Sequence, residues 1–188
     1  MINPRMALDS CWSVLGVYWL YSALETKKTA VNEKSGLRLL RLSILAITLI
    51  LLLSDWLRIV PLRWRFIPET QVGVWAGVFL TAAGVALAIW ARFNLGQNWS
   101  DKVVLKVDHE LVRTGPYAYL RHPIYSGVLL AVAGTALAIG EVRGLLALLL
   151  LGTNYCVKAI REERILAANF GEDFASYKRK TGFFLPGM

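Results

Sequence analysis

Residues 121–140 read R-H-P-I-Y-S-G-V-L-L-A-V-A-G-T-A-L-A-I-G, a polar corner that passes within a few residues into an unbroken apolar run. Pro123 pushes His122 out of helical geometry and itself suits the first turn of a helix. A helix is therefore expected to begin at Pro123, with His122 just outside its N-terminus and Tyr125 in its first turn. Upstream, Gly115-Pro116 dictates another turn. The whole stretch from His109 to Tyr125, H-E-L-V-R-T-G-P-Y-A-Y-L-R-H-P-I-Y, sets ionisable and aromatic side chains between two apolar segments. Two readings stand for such a stretch: a loop at the water–lipid boundary, where Tyr and Arg are at home, or a site.

Working outward, the apolar residues lie in five runs: Leu8 to Leu24, Leu39 to Val60, Val72 to Phe93, Ile124 to Gly140 and Gly144 to Val157. Apolar residues are 56% of the 188 and charged residues 18%, against about 45–50% and about 25% in soluble domains. A soluble core cannot absorb that excess. A helix needs ~20 apolar residues to cross hydrocarbon, and the runs approach this length. The expected class is an all-α integral membrane protein of about five transmembrane helices, with the short final pair forming a tilted or partly interfacial hairpin. Lys27 and Lys28 follow the first run, whereas a signal peptide carries its positive charges before it. That run is expected to stay attached. Cys11 and Cys156 fall within spans near opposite faces, too far apart to bridge.

Charge sets the orientation. With the N-terminus outside, the outer segments hold Arg5, Arg58, Arg63, Arg65 and Arg143, and all the remaining Lys and Arg face inward. That asymmetry places the C-terminus in the cytosol, at the inner membrane if the cell is bacterial. The net charge of +8 is accounted for by anchoring to anionic membrane lipid, so no nucleic-acid partner is needed.

Between the runs the signals differ. W-L-R-I-V-P-L-R-W-R-F-I-P, residues 56–68, suits an outer aromatic belt, with Pro61 and Pro68 discouraging a continuous helix. Gly73 and Gly77 form a G-x-x-x-G pair, with Gly84 one heptad on, so one face of the third span can receive another helix closely. Arg92, Asn94, Gln97, Asn98 and Trp99 gather at the cytosolic mouth, as an aromatic belt or as the rim of a substrate opening. Residues 102–112 keep no helical period and suggest an extended segment on the cytosolic face. Lys158 and Glu162 are four apart and share a face, while Glu163 points about 100° away, so one of the two acids is expected to be structural. After Phe170 the chain is basic and aromatic, suited to lying on the membrane surface. The sequence contains no C-x-x-C, no H-E-x-x-H and no Gly-rich phosphate loop, which points away from metal and nucleotide-phosphate chemistry.

H-E-L-V, G-P-Y, R-H-P-I-Y, then E-E, F-G-E-D-F-x-x-Y and T-G-F-F-L-P together resemble the isoprenylcysteine carboxyl methyltransferase family and its phospholipid-methylating relatives. The resemblance runs from about Arg92 to Pro186 and leaves the first two spans without a motif. It divides the chain into residues 1–91, three spans, and residues 92–188, a methyltransferase region with two further spans. It implies S-adenosyl-L-methionine bound in a cytosolic-side pocket formed by the C-terminal half. The contacts carried over fall on His109, Glu110, Leu111, Val112, Tyr117, His122, Pro123, Ile124, Tyr125 and Glu162. Substrate positioning falls on Lys158, where eukaryotic members have arginine, or on Arg161 from a neighbouring face.

The chemistry of that cofactor suits these residue types. Its ammonium calls for an acid, met by Glu162, and its carboxylate for N–H donors or a base, assigned to His122 and the helix N-terminus. Its rings call for flat walls such as Tyr117, Tyr125 or Leu111. The acceptor implied is lipidic or prenylcysteine-like, a carboxylate first, with phospholipid-amine N-methylation as the alternative. The glycine face and the Arg92–Trp99 mouth are the expected side for lateral admission of that acceptor. Two readings of other kinds stay open: a non-catalytic membrane binding or structural protein, and a reductase-like relative using a nicotinamide cofactor. Oligomeric state is not legible.

Overall fold

The computed structural model describes residues 3–23, 35–54, 59–96 and 111–187. Five helices occupy the expected runs: α1 Pro4–Ala23, α2 Ser35–Leu53, α3 Gln71–Leu95, α4 Pro123–Ile139 and α5 Val142–Lys180. Two 3-10 turns, Val60–Arg63 and Gly115–Ala118, stand where Pro61 and Gly115-Pro116 led one to expect breaks. Among the described residues there is no strand, only isolated bridges between Arg65 and Glu141 and between Leu120 and Gly182. By length and composition α3 and α5 can each cross a membrane, whereas residues 39–53 and α4 form shorter apolar helices.

The fifth helix departs from expectation. Its apolar run ends at Val157, but the helix, 39 residues in all, continues to Lys180 with one joint, at Gly171 (φ 50°, ψ −122°). α4 and α5 meet across Gly140 and Glu141, Gly140 adopting φ 66° to cap α4. Phe66 N–H donates to Gly140 O at 3.0 Å and Val142 N–H to Trp64 O at 2.9 Å, so the stretch after the first 3-10 turn covers this corner.

Helices α3 and α4 run antiparallel with their backbones almost touching. A Cβ at Gly77 would lie 2.5 Å from Ala138 N, one at Gly84 2.3 Å from Ala131 N, one at Gly127 2.5 Å from Ala88 N and one at Gly134 2.4 Å from Thr81 N. Two glycines seven residues apart on each helix thus interlock, as small residues do between membrane helices. Gly73 is not part of this seam; its neighbour is the hydroxyl of Thr70, the N-cap of its own helix. The seam also removes the glycine face as a route for an acceptor, because α4 fills it. Within it Thr81 Oγ1 and Thr135 Oγ1 lie 3.1 Å apart, and Trp12 Nε1 of α1 donates to Thr135 Oγ1 at 3.1 Å.

One apolar core draws on all five helices, from Leu15 through Leu51, Leu52, Val85, Ala88, Val128 and Val132 to Ala147 and Leu151. Buried arginines finish the helix ends around it. Arg92 donates to Ser22 O at 2.6 Å and Gly96 O at 2.7 Å. Arg143, paired with Glu141 at 2.6 Å, donates to Leu51 O and Ser54 O at 3.1 and 2.6 Å. Each satisfies carbonyls that have no partner within their own helix. Arg92, expected at the rim of a mouth, is instead an internal cap for α1.

Candidate active site

The site is assembled where the Gly115–Ala118 turn, the R-H-P corner, the middle of α5 and the C-terminal tail meet. Gly115 has φ +57°, and a Cβ there would stand 2.4 Å from Asn94 Oδ1. Only glycine lets the turn sit on the end of α3, and Asn94 is its support. The turn buries Tyr117, which packs with Ala91 and Ile124, with Val112 and Trp19 at the margin. Burial, reinforced by the negative charge of Glu162, pushes the Tyr117 hydroxyl well above the usual tyrosine range.

His122 is the N-cap residue of α4 at φ −127°, ψ 55°, as Pro123 demanded, and its side chain caps nothing. Its ring stacks on Tyr125 (centroids 5.5 Å, 5° between planes), and Tyr125 in turn stacks on Tyr155 of α5 at 4.6 Å. Phe183 meets the histidine edge-on at 5.1 Å and Phe184 meets Tyr125 edge-on at 6.4 Å. Three stacked rings and two edges make a flat, largely apolar aromatic cluster.

The polar groups against that cluster are Glu162 and Lys158. Tyr125 donates its hydroxyl to both carboxylate oxygens of Glu162, at 2.7 and 2.8 Å. Lys158 Nζ stands 4.0 Å from the same carboxylate and lies over the Tyr125 ring at 5.4 Å. Glu163 points into a separate ionic cluster, with Arg121 Nε at 2.6 Å and Lys178 Nζ at 2.9 Å. Burial raises the pKa of Glu163, but its contacts with His122, Arg121 and Lys178 outweigh that and bring it from 4.5 to about 2.

The two acids therefore diverge as helical geometry requires, yet His122 spans the gap between them. Its Nδ1 is 3.7 Å from Glu162 Oε2 and its Nε2 3.4 Å from Glu163 Oε1. The second contact lacks hydrogen-bond alignment, which leaves Nε2 buried without a hydrogen bond. The ring thus lies between two carboxylates that each have a cationic partner, Lys158 for Glu162 and Arg121 with Lys178 for Glu163.

Of the residues singled out from sequence, Tyr117, His122, Pro123, Ile124, Tyr125, Lys158 and Glu162 are brought to one place. Leu111 and Val112 are half-buried on the approach to the turn. His109 and Glu110, with Gln97, Asn98 and Trp99 of the expected mouth, lie outside the described residues. Arg161 is half-buried and has no hydrogen bond or ion pair with any described residue, whereas Lys158 faces the cluster. Sequence reasoning passed over Tyr155, although Tyr155, Lys158 and Glu162 follow the i, i+3, i+7 spacing of one helix face.

The tail, read from sequence as suited to a membrane surface, also packs against the protein. Phe174 and Tyr177 are buried at 3% and 6% exposure, Tyr177 donates its hydroxyl to Tyr117 O at 2.8 Å, and Arg121 N–H and Gly182 N–H pair the tail backbone with the R-H-P corner.

Known proteins place this architecture. The family described as phospholipid methyltransferase matches residues 72–173. The protein-S-isoprenylcysteine O-methyltransferase of Schizosaccharomyces pombe is 35% identical over 99 residues, covering 51% of this chain and 42% of its own. The enzyme of the same name from Homo sapiens is 30% identical over 196 residues, covering 95% of this chain and 66% of its own. Among solved structures, that of the eukaryotic intramembrane Ras methyltransferase, an isoprenylcysteine carboxyl methyltransferase, superposes with a TM-score of 0.57 at 21% identity, covering 84% of this chain and 55% of that one. At that identity the likeness is one of fold, and the match spans 42% to 66% of the length of these relatives. With more than half its residues matched and the helical fold shared, the chain belongs to the phospholipid methyltransferase family, beside the isoprenylcysteine methyltransferases.

Proposed function

We propose that the protein is an integral-membrane methyltransferase that moves a methyl group from S-adenosyl-L-methionine to a lipidic acceptor, a prenylcysteine-like carboxylate in the first instance. The observation that carries this reading is the Glu162 carboxylate, oriented by the Tyr125 hydroxyl at the edge of the His122–Tyr125–Tyr155 stack. An acid beside flat walls fits a molecule that combines an ammonium with aromatic rings, and the unpaired His122 Nε2 leaves a donor or acceptor for it.

When bound, the cofactor supplies an electrophilic methyl on a sulfonium. Glu162 holds the ammonium, Tyr125 keeps Glu162 aimed, and the stacked rings exclude water and wall the sulfonium. Leu111, Val112, Tyr117, Pro123 and Ile124 complete the enclosure, with His109 and Glu110 carried over from the family pattern. Lys158 holds the acceptor as a point charge, without the two-pronged grip that an arginine gives a carboxylate. A carboxylate acceptor is already nucleophilic, so alignment and desolvation suffice and no base is required. The region of residues 92–188 does this work over the three spans of residues 1–91, in a five-span topology with a cytosolic C-terminus.

One observation favours a second acceptor. The paired acids around His122 suit an ammonium, as in a phospholipid amine, and His122 is then the group that accepts its proton. Calorimetry with S-adenosylhomocysteine and with NADPH tests the cofactor, and transfer of tritiated methyl to farnesylcysteine analogues or to phosphatidylethanolamine tests the acceptor. Binding of S-adenosylhomocysteine alone with label in farnesylcysteine is the expected result. Binding of NADPH instead, or cofactor binding with no transfer to any lipid, overturns the assignment.

A further inference from the structure

Gly171 is exposed, and a Cβ there would meet nothing within 4 Å. Space does not require glycine at this position; the backbone does, because φ 50° with ψ −122° is a conformation that side-chain-bearing residues avoid. The residue is a joint, and the family match ends two residues beyond it, at residue 173.

What lies beyond the joint is held by the buried rings of Phe174 and Tyr177 and by polar contacts, and these contacts converge on the site. Tyr177 donates to Tyr117 O at 2.8 Å, Lys178 pairs with Glu163 at 2.9 Å, and Arg113 pairs with Asp173 at 3.8 Å. Arg121 donates to the carbonyls of Lys178 and Thr181. Ser126 Oγ donates to Phe184 O at 2.8 Å. Phe183 and Phe184 lie against His122, and Phe184 also against Tyr125. The side chains at the centre of the site are largely covered: those of His122, Lys158 and Glu162 are 6%, 12% and 23% exposed. The α3–α4 seam cannot open without separating two interlocked backbones, whereas the tail stands beyond a single glycine joint and covers the site from outside the helix bundle.

We propose that residues 172–184 are a strap that swings about Gly171, that Phe183 and Phe184 are its inner wall over the cofactor, and that the cofactor enters and leaves when the strap lifts. The last clause rests on the function proposed above; the motion does not.

Hydrogen–deuterium exchange of the whole chain in nanodiscs tests the motion. In the wild type, residues 172–184 should exchange as one unit, faster than residues 142–170. Tyr177→Phe and Lys178→Ala each remove a latch contact without touching the aromatic cluster, and Gly171→Ala disfavours the joint. Each should raise exchange of residues 172–184 about threefold to tenfold, the worth of one such contact, with α3 and α4 unchanged. The dissociation rate of S-adenosylhomocysteine should rise by the same factor. Exchange of residues 172–184 in step with residues 142–170, or indifference to all three variants, overturns the strap. Faster strap exchange with an unchanged dissociation rate overturns its gating of the cofactor. A wild type that exchanges as expected but binds no S-adenosylhomocysteine keeps the strap and refutes the cofactor reading instead.

Discussion

Glu162 and Glu163 are neighbours in sequence, yet converting each carboxylate to an amide should damage different properties. The Glu163 side chain is 10% exposed and its partner Arg121 8% exposed. Glu163→Gln keeps the shape and removes the charge, leaving a buried guanidinium with carbonyl partners only. Breaking a buried pair from one side costs about 3–5 kcal/mol, and the carbonyls of Lys178 and Thr181 hold Arg121 toward the lower end. Lys178, 55% exposed, regains water and adds little. A loss of about 3 kcal/mol corresponds to a melting temperature lower by roughly 6–12 °C in a chain of this size. Glu162→Gln is different, because its side chain is 23% exposed and Tyr125 can still donate to the amide oxygen. The ammonium of the cofactor, however, loses a charge-assisted bond worth about 1.5–3 kcal/mol, which is about tenfold to 150-fold in Kd. Calorimetric titration with S-adenosylhomocysteine and thermal melting of both variants in one detergent give the comparison. Equal affinity losses in the two variants, or a stability loss confined to Glu162→Gln, refute the division of labour.

The same cluster carries a pH signature. Glu163 is depressed from 4.5 to about 2, so its contribution is complete above about pH 4.5 and is lost as pH falls toward 2; the wild type should lose roughly 3 kcal/mol across that window and Glu163→Gln should lack this component. Gly84→Ala drives a methyl to 2.3 Å from Ala131 N and should cost about 1–3 kcal/mol through forced separation of α3 from α4. Gly16→Ala, with open space around it, should stabilise α1 by up to about 1 kcal/mol; thermal melting that ranks the two the other way contradicts the seam. A reporter that works only outside the cytosol, fused after Met188, should be silent, and activity there overturns the orientation read from the Lys and Arg distribution.

Local signals in the sequence translated well into structure. The five apolar runs became five helices, Pro123 set the start of α4, Gly115-Pro116 set a turn, and Gly77 with Gly84 marked a face for close approach. Each of these is decided by a residue acting on its own neighbourhood. The complementary glycines Gly127 and Gly134, also seven apart, were equally visible, and matching the two spacings would have paired α3 with α4. Contacts between distant residues were harder to foresee. Nothing local says that Arg121 will meet Glu163 rather than solvent, or that Lys178 will fold back to the same carboxylate 15 residues before it. The packing of the tail was not legible because a basic and aromatic segment suits a membrane surface and a protein groove equally, and the joint at Gly171 is a single glycine among 15. The helix N-terminus beside His122 was legible, but the two carboxylates brought to it by α5 were not.

The arginine caps at the helix ends impose an order on biogenesis. Arg92 reaches back 70 residues to Ser22, and Arg143 reaches back 92 and 89 residues to Leu51 and Ser54. A chain emerging at about 5–20 residues per second delivers those guanidiniums roughly 4–18 s after the carbonyls they serve. Arg5 of α1 already donates to Leu53 O at the end of α2 at 2.8 Å, so the later arginines complete helix ends that an earlier residue has begun to satisfy. The two leading helices, which carry no motif, are thus tied to the rest by their end carbonyls as well as by the core side chains Leu15, Leu51 and Leu52.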